Sequence, residues 1–177
     1  MDFNLLISTR RMREFDCRSE FKYILHEMGD DEARVRAIGI PGLVIAKTML
    51  NPFEVVAKLR EYVKERPWEI RYTLKVTPIE VVVETDFDTI VKRAQEMALE
   101  RIGESETYRV TVNKRFTALS RHELIDAIAA GVDRKVSLEN PDKIVNVEIL
   151  GRVTGISILR PQDILSVVKL KRKLGVS

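Results

Sequence analysis

One cysteine, Cys17, is all this chain contains, so no internal disulfide can form and a reducing cytoplasm is the expected setting. Two histidines, His26 and His122, lie far apart in the sequence, which leaves too few partners for a metal site. No apolar run approaches the ~18–20 residues of a membrane span. The N-terminus lacks the basic and apolar pattern of a secretory signal. The phosphate-cradling, dinucleotide-binding and zinc-protease motifs are missing as well. No nucleophile, base and orienting group can be assembled from the sequence, and the expectation is a protein without catalytic residues or cofactor. Asn and Gln are scarce, at five and two, while 32% of residues are charged. This composition resembles that of archaeal or thermophilic proteins.

What is present is apolar patterning and unevenly placed charge. Phe3 to Ser8 reads as a strand. Phe21, Ile24, Leu25 and Met28 form one face of a helix closed by Gly29. Two short strands, 33–38 and 43–48, flank the turn Gly39-Ile40-Pro41-Gly42. Asn51-Pro52 opens a second helix with Val55, Val56, Leu59 and Val63 inward. An alternating segment from Glu69 to Val76 reads as a fourth strand. This β-α-β-β-α-β order predicts a ferredoxin-like sandwich over residues 1–80. The fold class is therefore α+β.

Residues 81–177 read as a second domain with a basic C-terminal helix. Glu80 to Glu84 is β-branched. Asp86 or Asp88 caps a helix with Ile90, Val91, Ala94, Met97, Ala98 and Ile102 inward. Thr107 to Asn113 is a strand, and Ser120 with Glu123 forms a capping box for the next helix. Val136 to Leu150 reads as a strand pair joined by a Pro-Asp turn. Gly151-Arg152 separates the strands 145–150 and 153–159. Pro161 opens a last helix with Ile164, Leu165 and Val168 inward, ending in Lys169-Leu170-Lys171-Arg172-Lys173.

Residues 1–85 carry 14 basic and 14 acidic side chains, whereas residues 107–177 carry 13 basic and 7 acidic. A positive field on the last seventy residues points to a polyanion as partner. The candidate contacts are Lys114 and Arg115 at a strand end, and Arg121 and His122 in the first helical turn after it. Cations there oppose the helix dipole, and a bound phosphate would relieve the conflict. Arg134, Lys135, Lys143 and Arg152 could widen the patch. The competing reading is a solvated basic surface on a protein-interaction or small-ligand module without an RNA role.

From about Asp86 to Leu159 the chain resembles a THUMP domain, an RNA-binding module of tRNA-modifying enzymes. The resemblance rests on Val110-Thr111-Val112-Asn113-Lys114-Arg115, on Ser120-Arg121-His122-Glu123-Leu124, and on Val136-Ser137-Leu138-Glu139-Asn140-Pro141-Asp142 with Val145-Asn146-Val147-Glu148-Ile149. The preceding half is similar to the domain that accompanies THUMP in such enzymes. The resemblance implies a module that grips the 3′ acceptor end of tRNA for a separate catalytic domain. The chain looks like the stand-alone THUMP adaptor that assists the tRNA cytidine acetyltransferase. The loop Phe116-Thr117-Ala118-Leu119 departs from the family in lacking further arginines. The expected partners are thus tRNA and a separate tRNA-modifying enzyme, with no membrane.

Overall fold

The computed structural model describes residues 1–176 and divides into two compact units. The first comprises Asp2–Ile79 together with the C-terminal segment from Asp163; the second spans Glu80–Gln162.

In the first unit the elements are β1 (Leu5–Ser8), α1 (Glu14–Glu27), β2 (Arg34–Ala37), β3 (Leu43–Lys47), α2 (Pro52–Glu65) and β4 (Lys75–Pro78). The strands lie in the order β4-β1-β3-β2, antiparallel throughout. The period-2 alternation puts Leu5 and Ile7, Val35, Val44 and Ala46, and Val76 in one apolar cluster. Cys17, Phe21, Ile24 and Leu25 from α1, and Val55, Val56, Leu59 and Val63 from α2, complete it. The caps follow the local chemistry. The Asn51 side chain accepts from the N–H groups of Phe53 and Glu54, and Pro52 takes the first helical position. Gly29, at φ +102°, follows α1 in the left-handed conformation that a helix C-terminus favours.

The segment expected as a strand from Glu69 to Val76 is different. Pro67–Glu69 is a 3₁₀ turn, and only Lys75–Pro78 enters the sheet. The reason lies on α1. The Glu20 carboxylate accepts from the backbone N–H of Arg71 at 2.6 Å and of Thr73 at 2.7 Å, and from that of Tyr72. Those donors are thereby withdrawn from strand pairing.

The C-terminal segment departs from its expected place. After a 3₁₀ turn, Pro161–Asp163, come β10 (Leu165–Ser166) and α5 (Val167–Lys173). β10 pairs with β4, and Leu165 and Val167 are buried in the cluster of the first unit. The basic end therefore belongs with residues 2–79, not with the second domain. Val168, expected inward, is exposed.

The second unit contains β5 (Val81–Glu84), α3 (Phe87–Arg101), β6 (Thr107–Arg115), α4 (Arg121–Ala130), β7 (Lys135–Val136), β8 (Lys143–Leu150) and β9 (Val153–Leu159). Its sheet order is β5-β9-β8-β6-β7. β5 and β8 each run antiparallel to β9, while β7 and β8 both run parallel to β6. β7 and β8 thus flank β6 and are not the strand pair expected around the Pro-Asp turn. Two strands pointing the same way cannot form a hairpin. Val145, Val147, Ile149, Ile156 and Ile158 pack with Ile90, Ala94, Met97 and Ala98 of α3 and with Leu124 and Ile128 of α4.

Candidate nucleic-acid interface

Position along β6 decides what the candidate cations can do. β6 pairs Tyr108 with Lys143 at one end and Arg115 with Leu150 at the other. Lys135 pairs with Thr107 at the first end. A strand advances ~3.3 Å per residue, so the two ends lie roughly 25 Å apart. Arg134, Lys135 and Lys143 occupy one end. Lys114, Arg115 and the Gly151-Arg152 turn occupy the other, where the Gly151 N–H donates to the Arg115 carbonyl at 2.9 Å. The eight candidates are therefore two groups.

At the first end most of the charge is already engaged. Lys143 Nζ donates to both carboxylate oxygens of Glu106 at 2.8 Å. The same lysine, with the Gly103 N–H, holds the Glu106 carboxyl below its usual range. Arg134 Nε donates to the Ile102 carbonyl at 3.0 Å, closing the loop after α3. Lys135 is exposed.

At the second end, adjacent residues of one strand point to opposite faces. Arg115 turns toward Glu148 and donates to its carboxylate at 2.9 Å. That carboxylate is buried and also accepts from Asn113 and Asn146, both at 3.1 Å. Arg115 is thus a counter-ion first. Lys114, on the other face, is exposed and donates to the Leu119 carbonyl at 3.0 Å. Arg121 reaches back to the Val112 carbonyl at 2.8 Å through Nε. Its remaining guanidinium N–H donors keep a charge for recognition. His122 is exposed and pairs with Asp126 at 3.3 Å, one turn along α4. Arg152 is exposed at the turn between β8 and β9.

Phe116 was missed by the sequence reading. It is 72% exposed and its φ is +53°. That conformation is rare for a bulky residue, and outliers of this kind cluster at functional sites. A Phe directly after a Lys-Arg pair at a strand end was the available signal. The loop is pinned by Thr117 Oγ1, which accepts the Leu119 N–H at 3.2 Å, and by the Lys114 contact. Ser120 then caps α4 by accepting the Glu123 N–H at 3.2 Å.

The reassigned C-terminal segment also moves the charge. The second unit carries 12 basic and 14 acidic residues, the first 18 and 13. The positive field therefore belongs to the first unit, and the second offers a local cationic rim on a mildly acidic body.

Cations and an exposed aromatic around one strand end are the ingredients of backbone contact and base stacking, as in modules that bind single-stranded nucleic acid. Residues 84–159 match the family model of the THUMP domain, and THUMP domains are associated with RNA binding in tRNA modification. An uncharacterized protein of Methanocaldococcus jannaschii is 30% identical over 123 residues, covering 67% of this chain and 34% of that protein. Protein PH1313 of Pyrococcus horikoshii has a similar structure, with a TM-score of 0.67 and 17% identity, over 90% of this chain and 55% of that one. TrmN of Thermus thermophilus matches with a TM-score of 0.57 and 14% identity, over 89% and 46%. A 4-thiouridine synthetase in complex with RNA and ATP matches with a TM-score of 0.54 and 16% identity, over 90% and 42%. At these identities the likeness is one of fold. The chain spans about a third of the curated relative and about half of these solved chains.

Proposed function

We propose that this chain binds tRNA by its 3′ acceptor end and presents it to a separate tRNA-modifying enzyme, with a cytidine acetyltransferase as the sharpest form of the reading. The observation that carries it is the THUMP domain at residues 84–159, with Lys114, Phe116, Arg121 and Arg152 grouped at one end of its sheet. The fold likeness to a 4-thiouridine synthetase in complex with RNA supports it. Within this proposal the first unit is a ferredoxin-like sandwich, a reading supported by its βαββαβ order and its β4-β1-β3-β2 antiparallel sheet. The chain works in the cytoplasm, and the chemistry falls to the partner.

RNA acceptor ends are recognised by backbone contact, shape and unpaired bases. Intact tRNA should therefore bind at least about tenfold more tightly than tRNA trimmed of its unpaired 3′ end, with affinity falling as salt rises. Equal binding to both would remove the acceptor-end assignment. For the adaptor part, the tagged chain should recover a tRNA-modifying enzyme from its own cells after nuclease treatment. Modification of tRNA by the purified chain alone, given the donor, would sink that part.

A further inference from the structure

The first unit contains a cavity of about 760 Å³ whose walls come from four stretches of the chain. Arg10 follows β1, Trp68 sits on the 3₁₀ turn, Arg71 lies in the loop before β4, and Lys171 and Arg172 come from α5. The volume lies within the ~300–1,000 Å³ of small-ligand sites. None of the lining residues is acidic, so four cations surround one space.

Each wall is held in place by contacts elsewhere. Pro67 is buried and fixes the turn that leaves Trp68 65% exposed. The Glu20 carboxylate anchors the backbone of residues 71–73 beneath Arg71, and the Thr73 hydroxyl adds a bond at 2.8 Å. Lys171 donates to the Ile70 carbonyl, tying α5 to the same loop. Glu69, beside Trp68 in sequence, is engaged by the Tyr62 hydroxyl and by Arg66. Arg10, Arg71 and Arg172 form no ion pair among the described residues.

Like charges gathered around one cavity repel each other, and a bound polyanion removes that cost. Guanidinium groups match phosphate by paired, charge-assisted hydrogen bonds. An exposed indole beside them offers a stacking face for a base. We propose that this cavity binds a nucleotide, its base against Trp68 and its phosphate among Arg10, Arg71 and Arg172. The nucleotide is either free or an unpaired nucleotide of an RNA; both present the same base and phosphate. The site uses a different unit and different residues from the THUMP rim, so it stands independently of the function proposed above.

Trp68 is the only tryptophan, so its fluorescence reports on this cavity alone. The full chain is titrated with adenosine monophosphate, with a single-stranded RNA pentamer and with the same pentamer in a duplex. Quenching by the monophosphate marks a free-nucleotide site; quenching by the single-stranded pentamer alone marks an unpaired RNA nucleotide. Either supports the proposal, and inorganic phosphate should compete. The double variant R71A/R172A should raise Kd by at least about tenfold, and R71K/R172K by less, because charge remains while the paired geometry is lost. Trp68→Ala should weaken binding of a labelled pentamer followed by anisotropy. With adenosine monophosphate as the ligand, the quench should not depend on the cationic rim of the second unit, since none of its residues lines the cavity. No quench by the monophosphate or the single strand up to about 1 mM overturns the proposal. So does an unchanged Kd in R71A/R172A with an unchanged melting temperature.

Discussion

Arg115 and Phe116 are neighbours with opposite roles. Arg115 neutralises the buried Glu148 carboxylate, so Arg115→Ala should destabilise the second unit by about 3 kcal/mol in urea denaturation, the cost of stranding a buried charge. Glu148→Gln in the same background should recover much of the loss, because the stranded charge is gone. Phe116 carries backbone strain without a packing return. Phe116→Gly should raise stability by about 1 kcal/mol while weakening RNA binding, and a gain in both would remove Phe116 from the interface. Cys17 is equally specific. Burial pushes its thiol up to about 11, with the Thr73 hydroxyl opposing. Native protein at pH 8 should react with iodoacetamide far more slowly than protein in urea, since only the thiolate attacks. The cationic residue types were plain in the sequence. Which were free was not, because Lys143 and Arg115 meet Glu106 and Glu148 only through β6 and β8 pairing.

Among the elements, α1, α2, α3 and α4 were readable because each carries a cap and an apolar face with helical spacing. The stretch from Glu69 to Leu74 was misread because its alternation was genuine, while its N–H groups were claimed by Glu20 from α1. Glu20→Ala should cost about 1–3 kcal/mol by leaving those donors unmatched, and should loosen the loop that carries Arg71. Gly131, after α4, makes a comparable long-range demand. An added Cβ would run into the Gln95 side-chain amide, and that amide donates to the Ala127 carbonyl at 2.9 Å. Gly131→Ala should displace it and lower the melting temperature of the second unit, at a cost of about 1 kcal/mol.

For the whole molecule, low pH is the clearest probe. Burial raises the Asp30 carboxyl, but the Thr48 hydroxyl and the N–H groups of Met49, Glu32 and Ala33 outweigh it and leave it lowered. The Thr107 backbone and side chain lower Asp142, and Thr89 lowers Asp86. A carboxyl with a depressed folded-state pKa adds stability that is complete above its unfolded value and lost as pH falls through the folded one. Both units should therefore hold their melting temperatures down to about pH 5 and lose them progressively below about pH 4. The return of the C-terminal segment can be tested at the same scale. Leu165→Ala should destabilise the first unit by about 2–5 kcal/mol and leave the unfolding of the second unchanged.

The sequence by itself determined the α+β class, the four main helices with their buried faces, the central strands of both sheets and the THUMP motif. Each of these is written in local spacing, capping and turn chemistry. Only the tertiary structure decided that β7 and β8 flank β6, that the candidate cations fall at two ends of that strand, and that the basic C-terminal residues join the first unit. Pairing between distant segments has no local signature, and a charge count along the chain cannot see it. Lys171 and Arg172 lie about a hundred residues from Arg71, and folding sets all three around one cavity.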